Sequence, residues 1–241
     1  MIQFYAPDIE STLTLPQSDS QHCVRVLRMG AGDEIEVIDG RGHRFRCVIV
    51  DPHPKHAAVE ILACEDMPLS WQSQITVAVA PTKHIDRMEW MVEKLTEIGV
   101  NRIVPLLCRR SERKEIKTDR LEKIAVSAMK QSLKSVLPEI LPMTPIERVM
   151  GDYADAQRFV CYCDPSVPRR ELSREYRPFS DAVIMIGPEG DFSPEEIQSA
   201  LAAGWCPVTL GDNRLRTETA AIAACHTLHV IDSLTDRYCQ E

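Results

Sequence analysis

Two patterns of hydrophobic and polar positions follow one another along this chain of 241 residues. Up to about residue 68, apolar residues recur in short runs between turn residues, which is typical of β-strands. A capping-box pattern, Ser18 with Gln21 three residues on, predicts one short helix that ends near Gly30. A hairpin signal, Gly40-Arg41-Gly42, joins the first two of three predicted strands. These strands are Glu34–Asp39, Arg44–Asp51 and Ala57–Glu65.

From Ile75 onwards, strand patterns alternate with helical ones, which predicts a parallel sheet covered by helices. Apolar positions from Ile85 to Ile98 fall on one helical face, and Gly99 is placed to end that helix. Further helices are predicted at Thr118–Leu133, Pro194–Ala203 and Glu218–Ser233. The predicted strands are Ile75–Ala80, Arg102–Leu107, Arg158–Cys163, Asp181–Ile186 and Pro207–Leu210. Pro165–Ser180, with three prolines and six charged residues, is expected to be an exposed connection.

The apolar pattern breaks at Asp66–Ser70, which predicts two domains, residues 1–70 and 71–241. With 44% hydrophobic residues, the chain can bury a substantial core. Nine cysteines without any Cys-x-x-Cys pair are interpreted as reduced, which favours a cytoplasmic protein. Neither a signal peptide nor a membrane span is predicted, and the seven histidines do not form a metal-site pattern.

Two segments near the C-terminus carry the strongest functional signal. Ile186–Glu196 and Leu210–Ala220 each follow a predicted strand, run through glycine and lead into a helix. Because ligands bind at the carboxyl edge of parallel strands, we expect both loops to lie at one binding edge. Gly187 and Gly190 are expected to let the backbone approach a ligand closely. No Gly-x-Gly-x-x-Gly or Walker loop is present, which disfavours dinucleotides and nucleoside triphosphates.

Arg216 and Glu218 stand where the second loop meets its helix, and two interpretations are open. They are functional side chains at the binding edge, or they form a buried structural ion pair. The helix that follows is nearly all small residues over Ala220–Ala224, so a strand or a second subunit is expected to pack closely on it.

The charge of the chain is distributed unevenly. Its net charge is −8, which argues against a protein that coats nucleic acid. Residues 102–134, however, hold ten lysines and arginines against four acidic residues. Together with the basic hairpin near residue 41, this makes RNA a serious candidate for the partner, although a solvated loop is the usual explanation of a charge run.

Several strings of residues resemble one family. Gly187-Pro188-Glu189-Gly190, Leu215–Ala220, Arg87–Trp90 with Glu97–Val100, and His22 with Val26-Leu27-Arg28 are similar to the RsmE family of SPOUT-class methyltransferases. The resemblance implies S-adenosylmethionine-dependent methylation of N3 of a uridine in 16S ribosomal RNA. It also implies a small PUA-like β-barrel, a SPOUT α/β domain with a C-terminal trefoil knot, and a homodimer with the knots at its interface.

The resemblance implies the cofactor contacts, whereas the chemistry of methyl transfer and the positions of basic residues indicate the catalytic and RNA-binding candidates. The cofactor is expected to contact Ile186, Gly187, Pro188, Glu189, Gly190, Leu210, Gly211, Asn213, Leu215, Arg216 and Thr217. Arg216 and Glu218 are the catalytic candidates: Arg216 would stabilise the anion that develops on the uracil ring, and Glu218 would orient it or relay the proton. RNA contacts are expected from Arg25, Arg28, Arg41, Arg44, Arg109, Arg110 and Arg113.

The chain departs from the pattern of many family members at a few positions. Lys130 stands in place of a glutamate, Leu133 of a glycine and Lys134 of an arginine, while Asp191 replaces a glycine after Gly190 and Gln3 an arginine. Two other functions stay open at this stage: a SPOUT methyltransferase that acts on another RNA such as transfer RNA, and a non-catalytic RNA-binding assembly factor.

Overall fold

The computed structural model describes residues 2–164 and 167–238. Its contacts divide the chain into two compact units. The first comprises Met1–Ser70 with Val126–Leu137, and the second comprises Trp71–Ala125 with Pro138–Glu241. The division of the chain into domains at residues 70 and 71 stays a prediction.

The first unit is built on a four-stranded sheet in the order β1-β2-β3-β4. β1 runs parallel to β2, whereas β2, β3 and β4 pair in antiparallel fashion, so the predicted hairpin and its three strands are confirmed. Phe4, Val37 and Phe45 are buried in the core beneath the sheet. The strands are β1 (Gln3–Tyr5), β2 (Glu34–Ile38), β3 (His43–Asp51) and β4 (Ala58–Asp66).

The helices of this unit differ from the prediction. They are α1 (Ile9–Thr12) and α2 (Gln17–Gln21), and α2 continues into a π-helical turn, His22–Val26. The capping box at Ser18 is wrong, because α2 begins directly after Pro16 and no side chain caps it. The neighbouring Ser20 instead ties the helix to the sheet: its hydroxyl donates to the Leu15 carbonyl over 2.9 Å and accepts the Ala57 N–H over 2.9 Å.

Lys130, one of the departures from the family pattern, is held inside the first unit. Its Nζ lies 2.6 Å from Oδ1 of Asp19 and 5.8 Å from the centre of the Phe4 ring. The other oxygen of Asp19 accepts the Tyr5 N–H over 2.9 Å. The contacts of Lys130 therefore connect the segment 126–137 to β1 and α2.

The second unit contains a sheet in which every recorded pairing is parallel, as predicted. Its main path has the order β10-β12-β9-β11-β5-β6-β7, and β8 pairs with β6. The strands are β5 (Ile75–Val79), β6 (Arg102–Leu107), β7 (Glu139–Ile140), β8 (Thr144–Pro145), β9 (Gln157–Cys161), β10 (Arg170–Glu171), β11 (Ala182–Ile186) and β12 (Cys206–Thr209).

The described part of the chain contains six further helices, and one of them, Thr118–Gln131, belongs to the first unit from Val126 onwards. α3 ends at Gly99 as expected, and the Ser193–Glu196 capping box at the start of α7 is present. The structure adds α5 and extends the last helix beyond Ser233. The helices are α3 (Ile85–Ile98), α4 (Thr118–Gln131), α5 (Ile146–Asp152), α6 (Leu172–Glu175), α7 (Pro194–Ala202) and α8 (Thr217–Tyr238).

The predicted exposed connection Pro165–Ser180 is wrong for its central part. β10 and α6 lie within it, and Leu172 and Tyr176 are buried, at 1% and 4% exposure. The Tyr176 hydroxyl donates to the buried carboxylate of Asp232 on α8 over 3.2 Å. Charged residues and prolines make up more than half of this segment, but a few buried apolar side chains are enough to anchor it. Pro165 and Ser166 lie outside the described residues.

Candidate functional site

Three strand ends lie side by side at one edge of the parallel sheet. Ile186 of β11 pairs with Cys161 of β9, which pairs in turn with Val208 of β12. The loops that follow β11 and β12 therefore emerge at the same edge, as the sequence predicts. Their separation by β9 places a third loop, which begins at Tyr162, between them.

A cleft of about 780 Å³ opens at this edge. Its volume lies in the range of small-molecule sites. Gly211 adopts a φ of +106°, and no atom lies within 4 Å of the place a Cβ would take, so the space beyond this backbone is open. The lining combines apolar and polar side chains: Cys161, Tyr162, Cys163, Asp164, Val167, Pro168, Arg169, Glu171, Asp191, Val208, Thr209, Leu210, Gly211, Asp212, Asn213, Arg214, Leu215 and Ala220.

The loop after β11 is fixed by contacts within the second unit. The Thr217 hydroxyl donates to the Gly187 carbonyl over 3.1 Å, which joins the starts of the two candidate loops. A carboxylate oxygen of Glu189 accepts the Lys83 N–H over 3.0 Å. A Cβ at Gly187 would lie 3.1 Å from the ring of the buried Phe192. Packing of Phe192 gives this glycine a structural reason, and the close approach of a ligand to its backbone stays a prediction.

Two arginines predicted to contact RNA are engaged with the backbone near this loop. Nη1 of Arg110 donates to the carbonyls of Gly190 and Phe192 over 2.9 and 3.1 Å, and the side chain of Arg113 donates to the Lys83 carbonyl over 2.9 Å. The guanidinium of Arg109 lies 3.1 Å from Glu195. These contacts hold the loops, and RNA binding by the three arginines stays a prediction.

Arg216 and Glu218 do not form an ion pair with each other. Arg216 is exposed, and its guanidinium has no hydrogen-bond or ion-pair partner among residues 2–164 and 167–238. Glu218 is only 5% exposed, and its Oε1 lies 3.7 Å from Nε of Arg87 on α3. The alternative of a buried Arg216–Glu218 pair is therefore wrong, because residues two positions apart at a helix start point in different directions.

The cleft gathers part of the predicted cofactor set. Leu210, Gly211, Asn213 and Leu215 line it. The rest of the set lies outside its lining: Ile186, Gly187, Pro188, Glu189, Gly190, Arg216 and Thr217. Which residues contact a cofactor stays a prediction.

The lining also contains residues that the sequence reasoning missed. The loop after β9 contributes Tyr162 and Cys163, and Asp191 contributes a carboxylate. Asp191 was visible only as a departure from the family pattern. The loop after β9 gave no signal, because the position of β9 between β11 and β12 follows from the strand order rather than from local pattern.

Burial determines the protonation of several groups in the cleft. It raises the pKa of Cys161 to about 12 and raises that of Cys163, so both thiols are neutral at physiological pH. Burial also raises the pKa of Asp191, against the opposing effect of hydrogen bonds from the Phe192 and Cys163 N–H groups and of the Arg110 charge. Around Asp191 the cleft presents three other acids, Asp164, Glu171 and Asp212, and two arginines, Arg169 and Arg214.

The basic residues predicted to contact RNA in the first unit fall into two groups. Arg25 and Arg28 are exposed. Arg41 is bound to Asp39 over 3.4 Å and donates to the Pro7 carbonyl, and Arg44 lies 2.7 Å from Glu65. RNA binding by these four arginines stays a prediction.

A metal site and a membrane-spanning helix are both absent from the described residues. No group of three or more His, Cys, Asp or Glu side chains within residues 2–164 and 167–238 is arranged to hold a metal ion. Across the same residues, no helix combines the length and the apolar character that a bilayer span requires.

Comparison with known proteins identifies the family. The RNA methyltransferase domain model matches residues 69–229, and the RNA methyltransferase PUA domain model matches residues 15–62. Ribosomal RNA small subunit methyltransferase E of Synechocystis is 30% identical over 92% of this chain and 74% of its own length.

Solved structures agree with these matches. A probable rRNA-methyltransferase from Porphyromonas gingivalis is 47% identical, covers 98% of this chain and 100% of its own, and has a TM-score of 0.94. A ribosomal RNA small subunit methyltransferase E from Neisseria gonorrhoeae, bound to S-adenosyl methionine, is 28% identical with a TM-score of 0.85 over 96% of this chain and 98% of its own. The α/β fold with a PUA-like N-terminal domain is thus confirmed, and the chain belongs to the RNA methyltransferase family that includes ribosomal RNA small subunit methyltransferase E.

Proposed function

We propose that this protein uses S-adenosylmethionine to methylate N3 of a uridine in 16S ribosomal RNA of the small ribosomal subunit. The observation that carries the proposal is the cleft at the ends of β9, β11 and β12, in a chain whose relatives include a methyltransferase bound to S-adenosyl methionine. The residues fit this cofactor: Val208, Leu210 and Leu215 offer an apolar surface, and Gly211 offers open backbone. The trefoil knot, the cytoplasmic location and the uridine specificity are parts of the same proposal.

The proposed chemistry assigns different tasks to Arg216 and Glu218. When bound, S-adenosylmethionine would supply an electrophilic methyl group on a sulfonium, which N3 of the uracil would accept by in-line displacement with the neutral thioether as leaving group. The N3 proton must leave, and negative charge then spreads onto the flanking carbonyls of the uracil. Arg216, exposed and without a partner among the described residues, is available to stabilise that charge. Glu218 contacts Arg87 instead of Arg216, which leaves proton relay as its proposed role.

The Arg216 assignment predicts a loss of turnover without a loss of folding. In Arg216→Ala, we expect the methylation rate on purified small subunits to fall about a hundredfold, as for removal of one charge-stabilising donor. Arg174→Ala is the control, because it removes an exposed arginine that lies outside the lining of the cleft. Normal turnover of Arg216→Ala, with unchanged circular dichroism, would show that the assignment is wrong.

The proposed homodimer is supported by exposed apolar side chains on two helices of the second unit. Trp90 on α3 is 46% exposed, and Val230 and Leu234 on α8 are 41% and 49% exposed. Ala221 and Ala224 are buried within the chain itself, so the small-residue face of α8 is only partly available to a second subunit. Light scattering is expected to give twice the chain mass of 27.2 kDa.

Mass spectrometry of 16S ribosomal RNA from cells that lack this protein tests the function as a whole. We expect N3-methyluridine to be absent from the RNA of those cells and to return when the wild-type protein is supplied. Retention of N3-methyluridine would contradict the proposed target. A loss of methylation in transfer RNA instead would assign the enzyme to another substrate.

A further inference from the structure

The carboxylate of Asp191 joins two loops that line the cleft. Its Oδ2 accepts the N–H of Cys163, in the loop after β9, over 3.1 Å. Its Oδ1 accepts the N–H of Phe192, in the loop after β11, over 2.9 Å. Asp191 and Cys163 both line the cleft, so this side chain closes the wall between the ends of β9 and β11.

The backbone at position 191 is one that most side chains avoid. Asp191 has a φ of +61°, in the left-handed region, where glycine is least strained and aspartate is better tolerated than most residues. A side chain that is kept at a conformational cost, and whose two oxygens both accept backbone N–H groups, indicates that the bonds themselves are needed.

A second contact holds the same stretch of chain. Nη1 of Arg110 donates to the carbonyls of Gly190 and Phe192, the residues on either side of Asp191. The chain is therefore fixed through its carbonyls by Arg110 and through the Asp191 carboxylate by the Cys163 N–H. Removing the carboxylate would break the link between this loop and the backbone at Cys163, just beyond the end of β9.

We propose that Asp191 is a positioning residue of the cofactor site: its carboxylate holds the Cys163 and Phe192 N–H groups and thereby sets the cleft at the width that S-adenosylmethionine requires. This inference rests on the proposed function, since it assumes that the cleft takes this cofactor. The role is one of shape, so the sulfonium cofactor and its neutral thioether product, S-adenosylhomocysteine, should depend on Asp191 to the same extent.

Isothermal titration of both ligands against the full-length protein tests the proposal. Asp191→Asn keeps the size of the side chain but replaces one acceptor oxygen by a donor, and Asp191→Gly removes both bonds while it relieves the left-handed backbone. Asp155→Asn is the matched control, because it removes an exposed carboxylate that lies outside the lining of the cleft and accepts no hydrogen bond from the described residues. Hydrogen exchange at the Cys163 amide reports the bond directly, and the unliganded melting temperature reports folding.

We expect Asp191→Asn and Asp191→Gly each to weaken both ligands about tenfold and to speed exchange at Cys163, with melting temperatures close to wild type. Asp155→Asn should change either Kd by less than twofold. An Asp191→Asn Kd within twofold of wild type, a loss confined to S-adenosylmethionine, or an equal loss in Asp155→Asn would each overturn the positioning role. If the wild-type protein itself binds neither ligand, the proposed function fails and this inference fails with it, whereas tight wild-type binding with unaffected variants overturns the inference alone.

Discussion

At the residue scale, short side chains with several acceptors fix the loops and turns of both units. Asp39 in the first unit accepts the N–H groups of Arg41 and His43 over 2.8 and 3.1 Å, and its Oδ2 lies 2.7 Å from Nδ1 of His43. Asp191 does the same in the second unit with a different pair of N–H groups. In each case one carboxylate stabilises the local backbone conformation: the turn Gly40-Arg41-Gly42 beside Asp39, and the left-handed backbone at Asp191 itself.

The contact between His43 and Asp39 predicts a pH dependence of stability. The hydrogen bond that the protonated His43 ring donates to Asp39 raises the pKa of His43 above its ordinary value of 6.5, and the charges of Asp39 and Asp66 add to this. A raised pKa in the folded state stabilises the protein fully below pH 6.5, and the contribution is lost as the pH rises through the folded-state pKa. Loss of this contribution should lower the melting temperature of the wild type as the pH rises above 6.5. We expect the melting temperature of His43→Gln to fall less over the same range.

The matched control for this prediction is His226→Gln. His226 is exposed on α8 and has no carboxylate partner among the described residues. Melting temperatures recorded from pH 5.5 to 9 should therefore fall in parallel for this variant and the wild type. A His43→Gln curve parallel to both would contradict the proposed linkage.

At the scale of elements, the predictions succeeded where the pattern was long. α3, β6 and the capping box of α7 agree with the sequence to within a residue, because they span several periods or carry a cap. β7 and β8 contain two residues each, too few for any period to appear. The order of strands at the candidate site could not be predicted either, since it depends on pairing between distant segments.

At the end of α3, replacement of glycine by a larger residue is expected to destabilise the protein strongly. Gly99 has a φ of +124°, and a Cβ there would lie 2.7 Å from the Trp71 ring and 3.2 Å from Nε2 of His229. We expect Gly99→Ala to lower the free energy of unfolding by about 3 kcal/mol, as overpacking and backbone strain add. Gly151→Ala, where nothing lies within 4 Å, should instead leave it unchanged or raise it by about 0.5 kcal/mol in urea denaturation.

At the end of α4, a substitution by glycine is expected to stabilise the protein. Lys134 donates its N–H to the Met129 carbonyl over 3.1 Å, which places Leu133 at the left-handed position of a helix C-cap with a φ of +55°. Leu133 is 53% exposed, so glycine would sacrifice little apolar burial. We expect Leu133→Gly to raise the free energy of unfolding by about 0.5 to 1 kcal/mol. Ser132→Gly, at a position without positive φ, should lower it, and a loss in both variants would contradict the strain at Leu133.

At the scale of the whole molecule, charge rather than fold distinguishes this protein. Its net charge is −8, although residues 102–134 are strongly basic. The structure shows that several of these basic side chains are already paired with acids: Arg109 with Glu195, Arg102 with Glu139 and Lys130 with Asp19. Pairing within the chain reduces the positive charge available for phosphates, a property that composition alone could not reveal.

The pairing predicts weak binding to short RNA. Affinity for a bare strand depends on the number of phosphates that lysine and arginine neutralise, and it falls steeply with salt. We therefore expect fluorescence anisotropy with a short oligonucleotide to give a Kd weaker than about 10 µM near physiological salt, with a shallow salt dependence. The assembled small subunit should be methylated under the same conditions, because its preformed surface can contribute affinity through shape complementarity that charge alone does not provide. Tight, steeply salt-dependent binding to the oligonucleotide would show that the basic side chains of residues 102–134 remain free to bind a single strand.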